Sequence, residues 1–257
     1  MDLSNNNDRV AVIILAAGKG KRMKSSKAKV LHTVAGRPMI LHVIDTAVDV
    51  AGKNVVVVIG NQAEAVRETV ASRAQVLFAI QSEQLGTGHA VQCALPFIPE
   101  SCSAAIILCG DVPLIAAATI RRLISQHFQN GYEITLLAVT LDNPYGYGRV
   151  IRDASGNVEA IIEESDATAA EKAIDLINSG IYCVNRSFLE TALHQVESRN
   201  AQQEIYLTDI IGIARKSGKK IGLMKLNDYE SSEVIGINTM EDLRRVEAVM
   251  GRSRKIS

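Results

Sequence analysis

Three stretches of this chain, Val10 to Ala17, Val55 to Ile59 and Ala104 to Cys109, run without a single polar residue. A strand with one wet face alternates. Unbroken branched runs like these suit strands buried on both faces, as in a parallel sheet covered by helices. The segments between them have helical spacing. Pro38 fits the first turn of a helix, and Met39, Ile40, Val43, Ile44, Ala47 and Val48 recur on one face until Gly52 ends it. Asn61 is expected to cap a helix running to about Ala71, Val76 to Ile80 to form a strand, and about Gly88 to Leu95 and Thr119 to Phe128 to form helices. This alternation predicts an α/β fold: a Rossmann-like, mostly parallel mixed sheet flanked by helices.

The second half changes character. Ile134 to Leu141, Val150 to Arg152 and Val158 to Glu163 read as strands, and the turn Ala154-Ser155-Gly156-Asn157 makes a hairpin of the last two. A strand near Ile177 to Val184 follows, then helices around Ser187 to Val196 and Thr208 to Ser217. A strand at Lys220 to Leu226 and a helix from about Thr239 to Met250 complete the pattern. No linker divides the 257 residues, so one domain is expected. Its nucleotide-type lobe covers about 10–115, and a smaller β-rich lobe over about 116–250 offers a second binding surface and returns to the sheet. A chain of this length buries roughly 70 to 75% of its unfolded surface and needs no staples. Cys93, Cys102, Cys109 and Cys183 lack paired spacing and read as buried thiols.

The 28 Lys and Arg balance 28 Asp and Glu. That neutrality argues against nucleic acid as a partner, because binding it requires a surplus of cations. No apolar run reaches about 18 residues, and the first ten lack a secretory pattern, so no membrane association and a cytoplasmic location are expected. Any phosphate chemistry must therefore rest on local charge, and one segment provides it. Between Arg9 and Ile44 there is no acidic residue, while Lys19, Lys21, Arg22, Lys24, Lys27 and Lys29 place six cations within eleven positions. This loop follows a buried strand and should emerge at the carboxyl edge of the sheet, where open α/β folds place ligands. Gly18 and Gly20 let its backbone turn and present N–H groups to an anion. The letters fit neither a dinucleotide fingerprint, since Met23 stands where its last small residue belongs, nor a P-loop. A merely solvated cationic face is the competing reading.

Leu15-Ala16-Ala17-Gly18-Lys19-Gly20, Arg22-Met23 and Lys29-Val30-Leu31 resemble the opening signature of sugar-phosphate nucleotidyltransferases. Gln81 to Ala90 resembles the uracil-facing segment of the bacterial N-acetylglucosamine-1-phosphate uridylyltransferases. Gly110 to Leu114, Gly146 to Arg149, Ile177 to Gly180 and Gly236 to Asn238 are similar to further motifs of that family in the same order. The resemblance implies uridylyl transfer from UTP to N-acetylglucosamine-1-phosphate, with UDP-N-acetylglucosamine and pyrophosphate as products and Mg2+ as cofactor. The alternatives are another triphosphate such as CTP, a different sugar-1-phosphate, or a nucleotide-binding module without turnover. A sugar phosphate is already largely ionised near neutral pH, so the reaction calls for positioning and charge neutralisation rather than a general base.

By the same resemblance Arg22 and Lys29 are catalytic, and Asp111 and Asn238 hold the metal. Leu15, Ala16, Ala17, Gly18, Lys29, Gln81, Gly86, Thr87, Gly110 and Asp111 bind the nucleotide, while Gly148, Glu163, Asn178 and Asn238 bind the sugar. The residues have plainer readings too. Asp111 and Asn238 could each cap a helix, Gln81 could be a polar loop residue, and Glu163 an exposed strand glutamate. The scattered His32, His42, His89, His127 and His194 have no metal-ligand spacing. Within the resembling region Lys21 replaces the commoner Thr, Ala28 the Pro before the catalytic Lys, and Cys109 the Tyr before Gly110. Those changes bear on loop stiffness and base packing. The second half of the full family enzyme is a left-handed β-helix that carries an acetyltransferase and builds a trimer. No hexapeptide repeat of that kind occurs here, so neither property is expected of this chain, and its oligomeric state stays open.

Overall fold

A computed structural model describes residues 9–253. Its elements are β1 (Val10–Leu15), β2 (Thr33–Val34), β3 (Arg37–Pro38), α1 (Met39–Ala51), β4 (Val55–Ile59), α2 (Ala63–Ala71), β5 (Leu77–Ile80), α3 (Thr87–Ala94), β6 (Ala104–Cys109) and α4 (Ala117–Asn130). They continue with β7 (Ile134–Thr140), β8 (Arg149–Arg152), β9 (Val158–Ile162), α5 (Ala169–Lys172), β10 (Leu176–Asn185), α6 (Arg186–Leu193), α7 (Asp209–Lys216), β11 (Ile221–Lys225) and α8 (Met240–Ser253). The main sheet is ordered β11-β7-β10-β6-β1-β4-β5, with the β8–β9 hairpin attached to β10. Strands β6, β1, β4 and β5 are mutually parallel, as are β7 and β11, while β10 runs antiparallel to both β6 and β7.

The polar-free runs are explained by burial on two sides. Val10, Val12 and Ile14 of β1 enter a core with α1 and α4, whereas Ala11 and Ile13 enter a second core with α3, α6 and α7. A charge anywhere on β1 would therefore lose its water. Strand β1 leads through α1 to β4 on one side, while its other neighbour is β6. The chain thus reverses its winding between β1 and β6, and the loops after those two strands leave the same edge at the switch point.

Two local expectations are corrected. The residue at the start of α2 is Gln62 rather than Asn61: Gln62 has the left-handed φ of 52°, while the Asn61 N–H is committed to the Ala17 carbonyl (3.1 Å). The Gln62 amide turns away to bond the Ala28 N–H (3.1 Å) and the Ser26 carbonyl. Pro38 sits just before α1, in the two-residue strand pair β2–β3. That pair and α5 are too short to show a period in sequence. The expected hairpin forms as β8–β9, and Gly52 ends α1 with φ 56°. Strand β10 carries a bulge between Asn178 and Tyr182, where Gly180 has φ 76°. Its first half pairs with β8 and its second with β6, which welds the β-rich lobe to the sheet.

Candidate active site

Leu15 ends β1, and its carbonyl accepts the Gly110 N–H at 2.9 Å, so the loops after β1 and β6 start side by side. Gly110 is closely packed, since a Cβ there would stand 3.0 Å from the Leu15 carbonyl oxygen. Ala16 and Ala17 are buried and their backbones are tied to β4 and to Asn61, leaving Gly18 exposed at the edge. The steric demand for glycine falls on Gly20, with φ 59° and a hypothetical Cβ 2.6 Å from that of Lys29. Gly18 has no neighbour within 4 Å there, so its lack of a side chain leaves open space.

Of the loop cations, Lys29 is half-buried, and Arg22, though exposed, reaches the same cluster. The Lys29 ammonium pairs with Asp111 Oδ2 and donates to Asn238 Oδ1 at 3.1 Å; Arg22 Nη2 donates to the same Asn238 oxygen at 2.9 Å. Lys19, Lys24 and Lys27 are exposed. The Asp111 carbonyl accepts the Ile237 N–H (2.9 Å), and this bond draws Asn238 to the sheet edge. Neither Asp111 nor Asn238 serves as the helix cap that was its alternative. At α8 the cap is Thr239, whose hydroxyl accepts the Asp242 N–H (3.1 Å) while Asp242 Oδ2 accepts the Thr239 N–H (2.8 Å). Asn238 is thereby free to face the cations.

Two oxygens, one carboxylate and one amide, thus converge on a single cationic nitrogen. Among the described residues no group of three or more His, Cys, Asp or Glu side chains gathers as a metal cluster. The pair nevertheless suits a small hard cation, which takes one or two protein oxygens and completes its shell with water and phosphate.

Gln81 follows β5 and is buried, with its N–H on the Ile59 carbonyl (2.8 Å) and its amide on the Gly86 carbonyl (3.0 Å). It is not a solvated loop residue. Gly86 has φ 111°, and a Cβ there would lie 2.5 Å from the Ile205 carbonyl oxygen. Thr87 opens α3, and its hydroxyl accepts the Leu207 N–H at 3.0 Å.

The other group lies in the β-rich lobe. The Gly148 carbonyl accepts the Asn178 N–H (2.8 Å), and a Cβ on Gly148 would stand 3.3 Å from Glu163 Oε2. Asn178 Oδ1 accepts the Gly180 N–H (3.1 Å). Glu163 lies just past the end of β9 and is half-buried rather than exposed; its Oε1 accepts the Thr208 hydroxyl at 3.1 Å. Loss of hydration raises its pKa above the ordinary carboxylate value. The Thr208 bond opposes this, and Asp166, Asp209 and Glu204 reinforce it.

Sequence reasoning gave no joining role to the residues that connect these groups, although Gly146, Tyr147 and Arg149 fall within one of the resembling motifs. Tyr147 OH accepts the Gly236 N–H (3.3 Å), tying the lobe to the Asn238 segment, and Gly146 lies beside Arg22. The Arg149 guanidinium is buried against Glu164 at 2.9 Å and fixes that loop from beneath. The segment from Glu204 to Asp209 lies over Gly86 to Gly88 and supplies Thr208, and nothing in its composition marks it. Two of the departures noted in the sequence find an account. The Ala28 N–H, which a proline lacks, carries the bond to Gln62. Cys109 packs its sulfur against Gly180, and burial, helped by Asp111, pushes its thiol up to about 12, so it stays protonated and inert. Cys102 and Cys183 are buried as expected, and Cys93 and Cys109 are half-buried.

A basic glycine turn facing a carboxylate-bearing loop at the switch point of such a sheet suits the binding of phosphate groups. The chain belongs to the MobA-like NTP transferase domain family, whose model matches residues 12–170, and it is a nucleotidyltransferase. It is similar to bifunctional proteins named GlmU. That of Alkaliphilus oremlandii is 45% identical over 95% of this chain and 52% of its own length. That of Heliobacterium modesticaldum is 47% identical over 93% and 51%. That of Desulfotalea psychrophila is 45% identical over 96% and 73%. The chain spans about half the length of the first two. These relatives agree with the resemblance carried by the motifs. In fold it matches a solved Bacillus anthracis structure described as a glucose-1-phosphate thymidylyltransferase, with TM-score 0.73, 19% identity and coverage of 93% and 94% of the two chains. Among the described residues no helix is long and apolar enough to cross a membrane.

Proposed function

We propose that this chain is a uridylyltransferase that joins UTP to N-acetylglucosamine-1-phosphate, releasing pyrophosphate and forming UDP-N-acetylglucosamine. One observation carries the reading: Lys29, Asp111, Asn238 and Arg22, from three separate loops, meet within hydrogen-bond distance at the carboxyl edge of the sheet. The sugar phosphate oxygen attacks the α-phosphorus in line with the departing pyrophosphate. Both reactants are anions, so catalysis consists in bringing them together and neutralising the charge that develops. Lys29 supplies a point charge to the α-phosphate, and Arg22, with its planar fork, holds the pyrophosphate end. The backbone from Leu15 to Gly18, with Gly110, cradles the nucleotide. Gln81, Gly86 and Thr87 read the base, and Gly148, Glu163 and Asn178 hold the amino-sugar.

Mg2+, held by Asp111 and Asn238, would supply a further clamp on the phosphate oxygens. Without it Lys29 bonds the oxygens of both residues and Arg22 that of Asn238; with the cation held there, both side chains would be free to hold phosphate oxygens. In this reading residues 1–257 act as one nucleotidyltransferase domain, with lobes at about 10–115 and 116–250, in the cytoplasm. The test is pyrophosphate release by the purified chain with Mg2+, each of the four triphosphates and a panel of sugar-1-phosphates. UTP with N-acetylglucosamine-1-phosphate is expected to be the best pair. A faster reaction with CTP would overturn the base assignment, and equal rates with glucose-1-phosphate the sugar assignment.

A further inference from the structure

The Gln81 amide is held at two points. Its Nε2 lies 3.0 Å from the Gly86 carbonyl and 3.2 Å from His89 Nδ1. A carbonyl only accepts, so the group facing Gly86 is the NH2, and its second hydrogen is directed at the His89 ring. Nδ1 must then carry a lone pair, which places the ring proton on Nε2, 3.7 Å from the Cys93 sulfur. Both amide hydrogens of Gln81 are therefore committed within the protein. Its Oε1 meets no donor among the described residues.

We propose that His89 is a positioning residue for base selection: its Nδ1 lone pair locks the Gln81 amide so that Oε1, an acceptor, is presented to the base. The proposal rests on the uridylyl reading above and adds the device that enforces it. Uracil carries a ring N–H that a fixed acceptor can receive, whereas cytosine carries a lone pair at the same ring nitrogen. A Gln amide free to rotate could satisfy either by exchanging its oxygen for its NH2. Turning it in place would set Oε1 against the Gly86 carbonyl, and against the His89 lone pair as long as the ring proton stays on Nε2, contacts that oppose the flip. The lock is set by local chain geometry. Gly86 immediately precedes α3 and His89 is the third residue of that helix, so one turn of backbone presents both acceptors to the same amide.

The test compares kcat/KM for UTP and CTP in the wild-type chain, in His89→Leu, which deletes the acceptor, and in His89→Asn, whose Oδ1 stands where Nδ1 stood. His89→Leu is expected to lower the UTP-to-CTP ratio at least about tenfold, with KM for UTP rising more than kcat falls. His89→Asn is expected to restore the ratio toward the wild-type value. A ratio that His89→Leu leaves intact, or that both variants lower equally, overturns the proposal. Ring-nitrogen NMR of the wild-type chain is an independent check, whatever the folding of the variants: Nδ1 must be unprotonated, and a proton there overturns the proposal. A wild-type chain that does not prefer UTP would instead sink the functional reading.

Discussion

Asp111 meets the Lys29 ammonium across the sheet edge, whereas Glu163, at the end of the β8–β9 hairpin, sits half-buried among Asp166, Asp209 and Glu204. On the phosphate side charges compensate one another before any ligand arrives, so partners can be exchanged without stranding a buried ion. On the sugar side the carboxylate has a single hydroxyl partner, Thr208, and acidic neighbours that disfavour its ionised form. A ligand that donates hydrogen bonds to Glu163 would relieve that state. In the proposed reading the first region trades charge and the second recognises neutral hydroxyls.

The contrast predicts the largest effect at the ammonium. Lys29→Met should leave a folded protein with kcat/KM reduced about a thousandfold, because a charge aimed at the reacting phosphate is lost; a loss below tenfold in steady-state assays would place Lys29 outside the chemistry. Asp111→Asn should follow, with turnover lower by at least about a hundredfold and a weaker response to added divalent ion. Unchanged turnover would remove Asp111 from the mechanism.

On the sugar side the effect should move to KM. Glu163→Gln is expected to raise KM for the sugar phosphate about tenfold with a smaller change in kcat. Its stability effect has a defined sign. The folded-state pKa of Glu163 is raised above the ordinary 4.5, so its favourable contribution is complete below that pH and is lost as pH climbs through the raised value. The variant should therefore gain thermal stability relative to wild type as pH rises from about 4 to 7; parallel melting profiles would show that Glu163 is better solvated than its surroundings imply. The smallest effect belongs to Thr208→Val, which removes the remaining partner, should raise the Glu163 pKa further, and should increase sugar KM by about threefold. Titration of the Glu163 carboxyl by NMR would detect the shift directly.

Much of the architecture is legible in the chain because its signals are local. The polar-free strands β1, β4 and β6 have no alternative burial, and the hairpin between β8 and β9 is announced by its turn. Helix α5 passes unnoticed even though Thr168 and Glu171 form a reciprocal cap, since four residues show no periodicity. At the site, Arg22, Lys29, Asp111 and Asn238 are linked by side-chain bonds, Gln81 is bonded to Gly86, and Gly148 is bonded to Asn178 beside Glu163. The bonds that gather them are less visible. Tyr147, Thr208 and Gln62 act through contacts to residues far away in the chain, and no residue type or spacing advertises those partners.

What the sequence determined by itself is the alternation of buried strands and helices, together with one cationic turn in an otherwise balanced chain. Both follow from hydration: an apolar run must leave water, and six like charges cannot share a buried face. Tertiary structure alone decided that Arg22 and Lys29 both reach Asn238, which meets them from more than 200 positions away. It also decided that Glu163 loses its water. Those outcomes depend on register, on the β10 bulge and on the reversal of winding at β1, which are properties of how strands are ordered and not of any segment alone.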